Sequence, residues 1–461
     1  MIYNNSLIMA VYLICLYFLL FVQDANSNEN YHLLLNPSTS ATSEKTDLPF
    51  TEKEALALLK QNSIRWKQSL ETISAAEAKL QQAKAAFLPH FSVGIREIIG
   101  RVNLLQYGIV TGTPLNYFSF GSTSLQLTYS LLDPALSKQG EAANSYAKSS
   151  HYSTESTQDD LIYYLLCQYS VAQKWQSLVK NRRASVQNME KLKQLAEEKL
   201  YSEVGIDLDV KRVETRLAMV QIKEFDSIGN FEKAKRDLAA LLGIDPIYRP
   251  MEPIDHIIPL SFDPSQISIQ EVIDNRADRQ ATHYITEAAE NIVKMEEKHQ
   301  WPKLDFLGEA GIAGSTVFDG SSNGLVGTAG IFLNIPIYTG NLITGKIAEA
   351  RANKTRAEYQ EDQLIIDVKN QVQGSLYQYT LSQKALAASQ KSIELATDEL
   401  RLANQRFELG AGGNFDVIAS QMNFAQAQDD LTEAWFNYHQ ATLQFLKVTN
   451  KLRTYAESLQ R

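Results

Sequence analysis

Residues 124–139 read SLQLTYSLLDPALSKQ, and the pattern of apolar residues changes within this segment. Leu125, Leu127 and Tyr129 alternate with polar residues, which predicts a β-strand with one apolar face. From Pro134 onward almost no helix breaker occurs for roughly seventy residues, which predicts one helix of roughly 100 Å at 1.5 Å per residue. Helices in globular domains average three or four turns. The segment therefore predicts a rod-like or tubular protein in which strands lead into very long helices.

The same succession occurs in the second half of the chain, where alternating segments lead into a second long helix from Asn341 to about Glu408. Alternation over about ten residues is typical of a transmembrane β-barrel strand. One such pair would favour an ordinary half-buried hairpin, but two pairs at matching positions favour the membrane interpretation. The alternating apolar positions of the other three segments are Phe91, Val93 and Ile95; Leu304, Phe306, Gly308, Ala310 and Ile312; and Ile331, Leu333, Ile335 and Ile337.

An internal duplication organises the chain. A long helix, a hairpin and further long helices follow one another twice, and equivalent features such as Leu88-Pro89 and Trp301-Pro302 are roughly 205 to 213 residues apart. The predicted segments are a signal peptide at 1–27, a disordered N-terminus at 28–48, a first repeat at 49–243, a linker at 244–266, a second repeat at 267–450 and a C-terminal tail at 451–461.

The N-terminal prediction rests on an apolar stretch from Leu7 to Val22, which is short for a transmembrane helix and suits a signal peptide. Ala25-Asn26-Ser27 provides a small-x-small cleavage site. A short N-terminal anchor is the alternative, because residues 1–6 contain no Lys or Arg. No other run approaches twenty apolar residues, so a membrane crossing would have to be made by strands.

The predicted helices carry apolar seams with spacings of three and four residues. Many seam positions hold small residues, so neighbouring helices can pack closely. The two seams of the second repeat are Leu386, Ser389, Ile393, Ala396, Leu400, Ala403 and Phe407, and then Phe424, Ala427, Leu431, Ala434, Tyr438, Ala441, Phe445 and Val448.

The number of strands predicts an oligomer. Four strands cannot close a barrel, and a lipid bilayer tolerates no open strand edge. One chain therefore cannot span a membrane alone. Three chains would supply about twelve strands, enough for a barrel with an open lumen.

With these features the chain resembles the TolC-like outer-membrane efflux proteins over nearly all of its length beyond the signal peptide. The duplicated order of elements is the first point of resemblance. The second is the segment Leu333-Asn334-Ile335-Pro336-Ile337-Tyr338-Thr339-Gly340-Asn341, which is similar to the strand-end turn of the family and contains Pro336 and Gly340. The third is a pair of helix-tip turns at 203–210 and 408–417, which contain Gly205 and Asp209 in the first repeat and Gly410 in the second.

The resemblance implies an α+β membrane protein that forms a homotrimer. A β-barrel of twelve strands, four per chain, would cross the lipid bilayer of the outer membrane, and a long α-helical coiled-coil barrel would continue it into the periplasm. A periplasmic adaptor (membrane fusion) protein and an inner-membrane pump are the implied partners, and the channel itself would be passive. Export of proteins in a type I secretion system is one alternative function, and a periplasmic coiled-coil scaffold that is not a channel is another.

The resemblance also implies a site. In the family, the tips of the second-repeat helices close the periplasmic entrance, and Phe407 and Asp416 match positions of this constriction. Three-fold symmetry would turn Asp416 into a ring of carboxylates that attracts cations. The next ring position holds Ala419, and the tip position that can carry an arginine in the family holds Gly412. Phe407 lacks a hydroxyl, so closure is expected to rest on apolar packing. Asp209 and Asp416 could alternatively cap the helices that follow them.

Composition argues against other classes of protein. The net charge of −9 does not suit nucleic-acid binding, which requires a basic surface. The chain contains none of the patterns G-x-S-x-G, H-E-x-x-H and G-x-x-x-x-G-K-[ST], and its seven histidines lack ligand spacing. We therefore predict no enzyme activity, no cofactor and no metal. Only Cys167 lies outside the signal peptide, which predicts a small buried residue and no intrachain disulfide.

Overall fold

The computed structural model describes residues 48–102, 116–202, 205–258, 260, 263–264, 267–314, 324–409 and 413–460. Its helices are α1 (Glu52–Asn62), α2 (Ile64–Ala85), α3 (Pro134–Tyr201), α4 (Asp207–Leu242), α5 (Ile269–Asn275), α6 (Ala277–Lys298), α7 (Leu342–Glu408), α8 (Asn414–Val448) and α9 (Leu452–Gln460). Its strands are β1 (His90–Val102), β2 (Asn116–Leu132), β3 (Lys303–Gly314) and β4 (Gly324–Asn334).

The very long helices are confirmed. Helix α3 has 68 residues and α7 has 67, and each is followed by a helix of about half that length, with 36 residues in α4 and 35 in α8. The predicted seam of α8 faces inward, because most of its positions are buried. They are Ala427, Ala434, Tyr438, Ala441, Phe445 and Val448.

The first helix of each repeat differs from the prediction, which had a single long helix there. Ser63 and Arg276 interrupt it with extended backbone, at ψ 123° and 134°. The break at Arg276 is held by its side chain, which bonds Asp278 at 2.5 Å and the carbonyl of Val448 at 3.2 Å.

The seam pattern missed both breaks because tertiary contacts override a continuous helical pattern. Leu56 of α1 shares a core with Leu165 of α3, and Val272 of α5 shares one with Val368 of α7.

The largest core lies where α1, α3, α4, α8, α9 and the linker meet. Phe50, Leu165, Leu238 and Leu452 are each buried within it. Cys167 lies in the same core, as predicted, and its burial raises the pKa of the thiol to about 11.

The C-terminal segment, predicted as a tail, includes a helix that packs against this core. Leu452, Tyr455 and Ala456 of α9 are buried. On the other face of α9, Arg453 contacts carboxylates of α3 at 2.8 Å, namely Glu155 and Asp159. The last residues of the chain are therefore part of the fold.

The four predicted strands form one antiparallel sheet in the order β1-β2-β3-β4. The register places the predicted apolar positions on one face, as in the row Tyr129, Phe306 and Ile331. Many of these side chains are exposed, including Phe91, Val93, Ile95, Leu125, Ile331 and Leu333. The prediction was wrong for Ile335 and Ile337, because β4 ends at Asn334. Pro336 has no N–H to donate to a strand ladder, so it does not suit a continuing strand.

The described chain divides into two compact units. A sheet unit consists of residues 84–136 and 298–340, and a helical unit consists of residues 46–83, 137–297 and 341–461. Each unit draws on both sequence repeats, so the repeats are not separate domains. None of the helices in the described ranges is long and apolar enough to cross a membrane.

Gly311 provides a test of the sheet. We expect Gly311→Ala to destabilise it by about 1–3 kcal/mol, because overpacking at this position is severe. An added Cβ would lie 2.1 Å from the Thr123 carbonyl oxygen and 2.6 Å from the Ser124 Cα. Gly327→Ala is the matched control, since the nearest atom to its Cβ would be the Glu309 carbonyl oxygen at 3.9 Å. Thermal unfolding of the detergent-purified variants measures the difference, and equal losses would contradict this packing.

Candidate functional site

At the tip of the first repeat, the backbone around Gly205 ends helix α3. The N–H of Gly205 donates to the carbonyl of Lys199 at 2.9 Å and so pairs one of the carbonyls that the last turn of α3 leaves without a helical partner. A Cβ at Gly205 would lie 3.0 Å from the backbone at both Lys199 and Leu200. Only a residue without a side chain fits here comfortably, so Gly205 acts as a helix terminator.

The two aspartates of the tips are not cap residues. Ile206 is the N-cap of α4 and Gly413 is the N-cap of α8, and neither offers a side-chain hydrogen bond. Asp209 and Asp416 each lie in the first turn, with their N–H groups donating to those cap carbonyls at 3.0 and 3.2 Å. The capping interpretation therefore does not hold. The carboxylates instead face the positive end of the helix dipole, which favours negative charge.

Phe407 belongs to an apolar cluster that joins the tips of the two repeats. It packs, half-buried, against residues of α3, α4 and α8. The buried members of this tip cluster are Met189, Leu192, Ala196, Val210, Val213, Val417 and Ile418. Packing across the repeats thus holds the end of α7 in place.

Two cationic side chains lie near aromatic rings at the tips, and the sequence patterns predicted neither contact. Lys199 Nζ lies 3.3 Å from the centroid of the Phe407 ring. Arg212 lies 5.8 Å from the ring of Phe415 and 3.6 Å from a carboxylate oxygen of Asp209. Cation–aromatic attraction contributes about 0.5–1 kcal/mol at exposed sites. Both contacts link a first-repeat helix to a second-repeat residue, which sequence spacing alone does not reveal.

A polar contact also joins α7 to α8 near the tip of the second repeat. Glu399 of α7 accepts hydrogen bonds from Ser420 Oγ and Asn423 Nδ2 of α8, each at 3.1 Å. Asp416 is exposed and makes no ion pair with the described residues. Gly410 and Gly412 lie outside the described residues, and Ala419 is half-buried.

The strand-end turn leads from β4 to α7. Gly340 has φ +60° and Asn341 has φ +66°, so two successive residues adopt the left-handed region. Glycine occupies this region at little cost and Asn tolerates it. The carbonyl of Asn341 then accepts the first helical hydrogen bond, from Gly345 at 2.9 Å. Pro336 and Gly340 thus end the strand and reorient the chain for the helix. Within the described part of the chain, no group of three His, Cys, Asp or Glu residues could hold a metal ion.

Known proteins agree with this arrangement. Residues 268–451 match the family model described as "Outer membrane efflux protein". The chain is similar to Nodulation protein T of Rhizobium leguminosarum bv. trifolii, with 22% identity over 380 residues that cover 80% of this chain and 78% of the relative. It is 28% identical over 173 residues to the outer membrane efflux protein BepC of Brucella suis biovar 1 (strain 1330), covering 35% and 37% of the two chains.

Solved structures share the fold. The Campylobacter jejuni CmeC outer membrane channel superposes with a TM-score of 0.77 at 15% sequence identity. The superposition covers 87% of this chain and 86% of that chain.

The duplicated strand-to-helix architecture and these matches place the chain among proteins that resemble outer-membrane efflux proteins. More particularly, the predicted resemblance to TolC-like proteins is confirmed, and the comparisons agree with the predicted efflux function and outer-membrane location. The matched family and the structural relatives are channel proteins rather than enzymes.

Gly205 and Gly229 should respond in opposite directions to the same substitution. We expect Gly205→Ala to destabilise the tip by about 1–3 kcal/mol, because the added methyl would overpack the end of α3. Gly229→Ala should stabilise α4 by up to about 1 kcal/mol, because alanine is the better helix former. Gly229 has open space where a Cβ would be. Hydrogen exchange of the two helices measures both effects, and a loss of protection in the Gly229 variant would contradict the explanation.

Proposed function

We propose that the chain is one subunit of a homotrimeric outer-membrane channel that serves as a passive conduit from the periplasm to the exterior. The observation that carries this proposal is the four-stranded sheet, which has an apolar face and outer edges on β1 and β4 that are unpaired within the described chain. Lipid tolerates an apolar face but not an open edge. Three copies, each placing β4 beside β1 of the next, would close a barrel of about twelve strands.

The helical unit supports the same assembly through apolar side chains that nothing in the described chain covers. Four leucines of α7 and its C-cap are each 41–82% exposed. Together with the exposed Ala388, they form one row in which successive residues are seven positions apart. The leucines are Leu381, Leu395, Leu402 and Leu409. Ile222 and Phe225 of α4 are exposed by 61% and 67%. Seven-residue spacing is the pattern of helices that pack side by side, so we assign these surfaces to contacts between copies in an α-helical barrel within the periplasm.

The constriction of this channel is assigned to Phe407 and Asp416. In a trimer, three Asp416 side chains would surround the entrance and favour cations. The tip cluster and the contact of Lys199 with Phe407 support closure by apolar and cation–aromatic packing. Such a closure differs in chemistry from a latch of hydrogen bonds, because it depends on ring faces rather than on hydroxyl groups.

Partners follow from the passive nature of a channel. Because the proposed channel is passive, we infer that an inner-membrane pump and a periplasmic adaptor supply energy and cargo. Export of proteins would use the same channel geometry, and the pump would decide between the two cargoes. A periplasmic scaffold is disfavoured by the exposed apolar face of the sheet, which would be costly in water.

Reconstitution tests the proposal as a whole. Outer membranes extracted with detergent should yield a trimer that conducts ions in planar bilayers. A water-soluble, non-conducting monomer would overturn the proposal.

Two variants test the constriction in single-channel recordings. We expect Phe407→Ala to raise conductance, because it removes an aromatic ring from each of three tips. Asp416→Asn should lower the preference for cations, because it removes three carboxylates. Asp430→Asn is the control, since Asp430 is an exposed residue of the same helix bonded to Gln426. Unchanged recordings in both constriction variants would place the narrowest point elsewhere.

A charge on the exposed leucine row tests the trimer contact. We expect Leu395→Glu to weaken the trimer, because the contact would bury an unpaired carboxylate. Gln390→Glu introduces the same charge at another exposed position of α7 and should leave the trimer intact. Native electrophoresis or light scattering reports the oligomeric state. If both variants had the same oligomeric state, the leucine row of α7 would not be part of the contact between copies.

A further inference from the structure

A buried polar cluster joins the two ends of the chain in the helical unit. Glu52, the first residue of α1, is 6% exposed. Its Oε2 accepts a hydrogen bond from the hydroxyl of Tyr455 in α9 at 3.3 Å. The hydroxyl of Tyr169 in α3 donates to the carbonyl of Phe50 at 2.5 Å and lies 3.3 Å from the carboxyl of Glu252 in the linker. Four segments of the chain therefore meet at two carboxyl groups and two phenols.

No cation within the described chain neutralises Glu52. The nearby Arg249 pairs instead with Glu54 and lies 5.3 Å from the ring of Phe50. The Tyr169 hydroxyl has one proton, and it donates that proton in a hydrogen bond to the Phe50 carbonyl, which is nearer than the Glu252 carboxyl. This hydroxyl therefore does little to offset the negative charge of Glu252. An ionised Glu52 would thus lie in an apolar core and face a second carboxyl group, which is unfavourable on both counts.

The two largest effects on the pKa of Glu52 act in the same direction. Burial is the largest effect, the charge of Glu252 is the second, and together they raise the pKa of Glu52 to about 7, against a smaller opposing effect of the Tyr455 hydrogen bond. Burial is the main cause that raises the pKa of Tyr455, and Glu52, Glu252 and Tyr438 of α8 raise it further, so that phenol stays neutral and remains a donor. Tyr169 is likewise kept neutral by burial, which raises its pKa.

We propose that Glu52 is a proton-binding site at the contact of α1 with the C-terminal helix α9, so that burying the carboxyl beneath α9 is favourable while Glu52 carries its proton and destabilises the contact when the proton is lost. Such a site would make the contact of α1 with α9 sensitive to the pH of its compartment. The proposal does not depend on the channel being trimeric or on the identity of its cargo.

The direction of the pH dependence follows from proton counting. The pKa of Glu52 is raised in the folded state, so between its ordinary value of 4.5 and about 7 the folded chain holds more protons than the opened one. Stability of the contact between α1 and α9 therefore falls as pH rises through this window and levels off above it. Each unit of pKa difference corresponds to about a tenfold change in the opening equilibrium.

Hydrogen exchange of α9 in the full-length, detergent-purified protein tests the proposal. After correction for intrinsic exchange rates, we expect the open population of α9 to rise by about tenfold or more between about pH 5 and about pH 8. Glu52→Gln keeps the shape and a hydrogen-bond acceptor but cannot ionise, so its α9 should open to the same extent at both pH values. Glu457→Gln, a change at an exposed position of α9, should behave as the unaltered chain does.

A second variant keeps the test decisive if Glu52→Gln does not fold. Tyr455→Phe removes the hydrogen bond that favours the ionised carboxylate, so the midpoint of the pH dependence should move to higher pH. A pH-independent α9 in the unaltered chain would overturn the proposal. So would a pH dependence that survives Glu52→Gln, or an unmoved midpoint in Tyr455→Phe.

Discussion

Backbone hydrogen bonding at the strand edges is the constraint from which most features of this protein follow. Each interior strand of the sheet satisfies its N–H and carbonyl groups on both sides, whereas β1 and β4 do so on one side within the described chain. Water could satisfy the free edges, but lipid could not. In the membrane channel that we propose, a sheet that exposes Phe91, Ile95 and Ile331 on one face would need further strands, and copies of the chain are the simplest source.

Duplication supplies the two hairpins, but the fold does not keep the repeats apart. The tip cluster contains Val210 and Val213 from the first repeat beside Val417 and Ile418 from the second. The sheet likewise joins β2 to β3 across the repeats. Two copies of one sequence pattern therefore build each compact unit together.

Sequence patterns predicted what depends on local periodicity and missed what depends on contacts across the chain. The lengths of α3 and α7, the four strands and the shared apolar face all follow from spacing. The breaks at Ser63 and Arg276 do not, because tertiary contacts override the helical pattern there. Of the site residues, Gly205, Pro336 and Gly340 could be placed from turn chemistry. The cations Lys199 and Arg212 could not, because each meets an aromatic ring about two hundred residues further along the chain.

The contact between α1 and α9 has a consequence for biogenesis. Glu52 and Tyr455 are separated by 403 positions, and the largest core includes residues from both ends of the chain. That core cannot be completed until α9 has been synthesised. Because contacts between distant residues form late, α9 closes a core that the earlier segments leave incomplete.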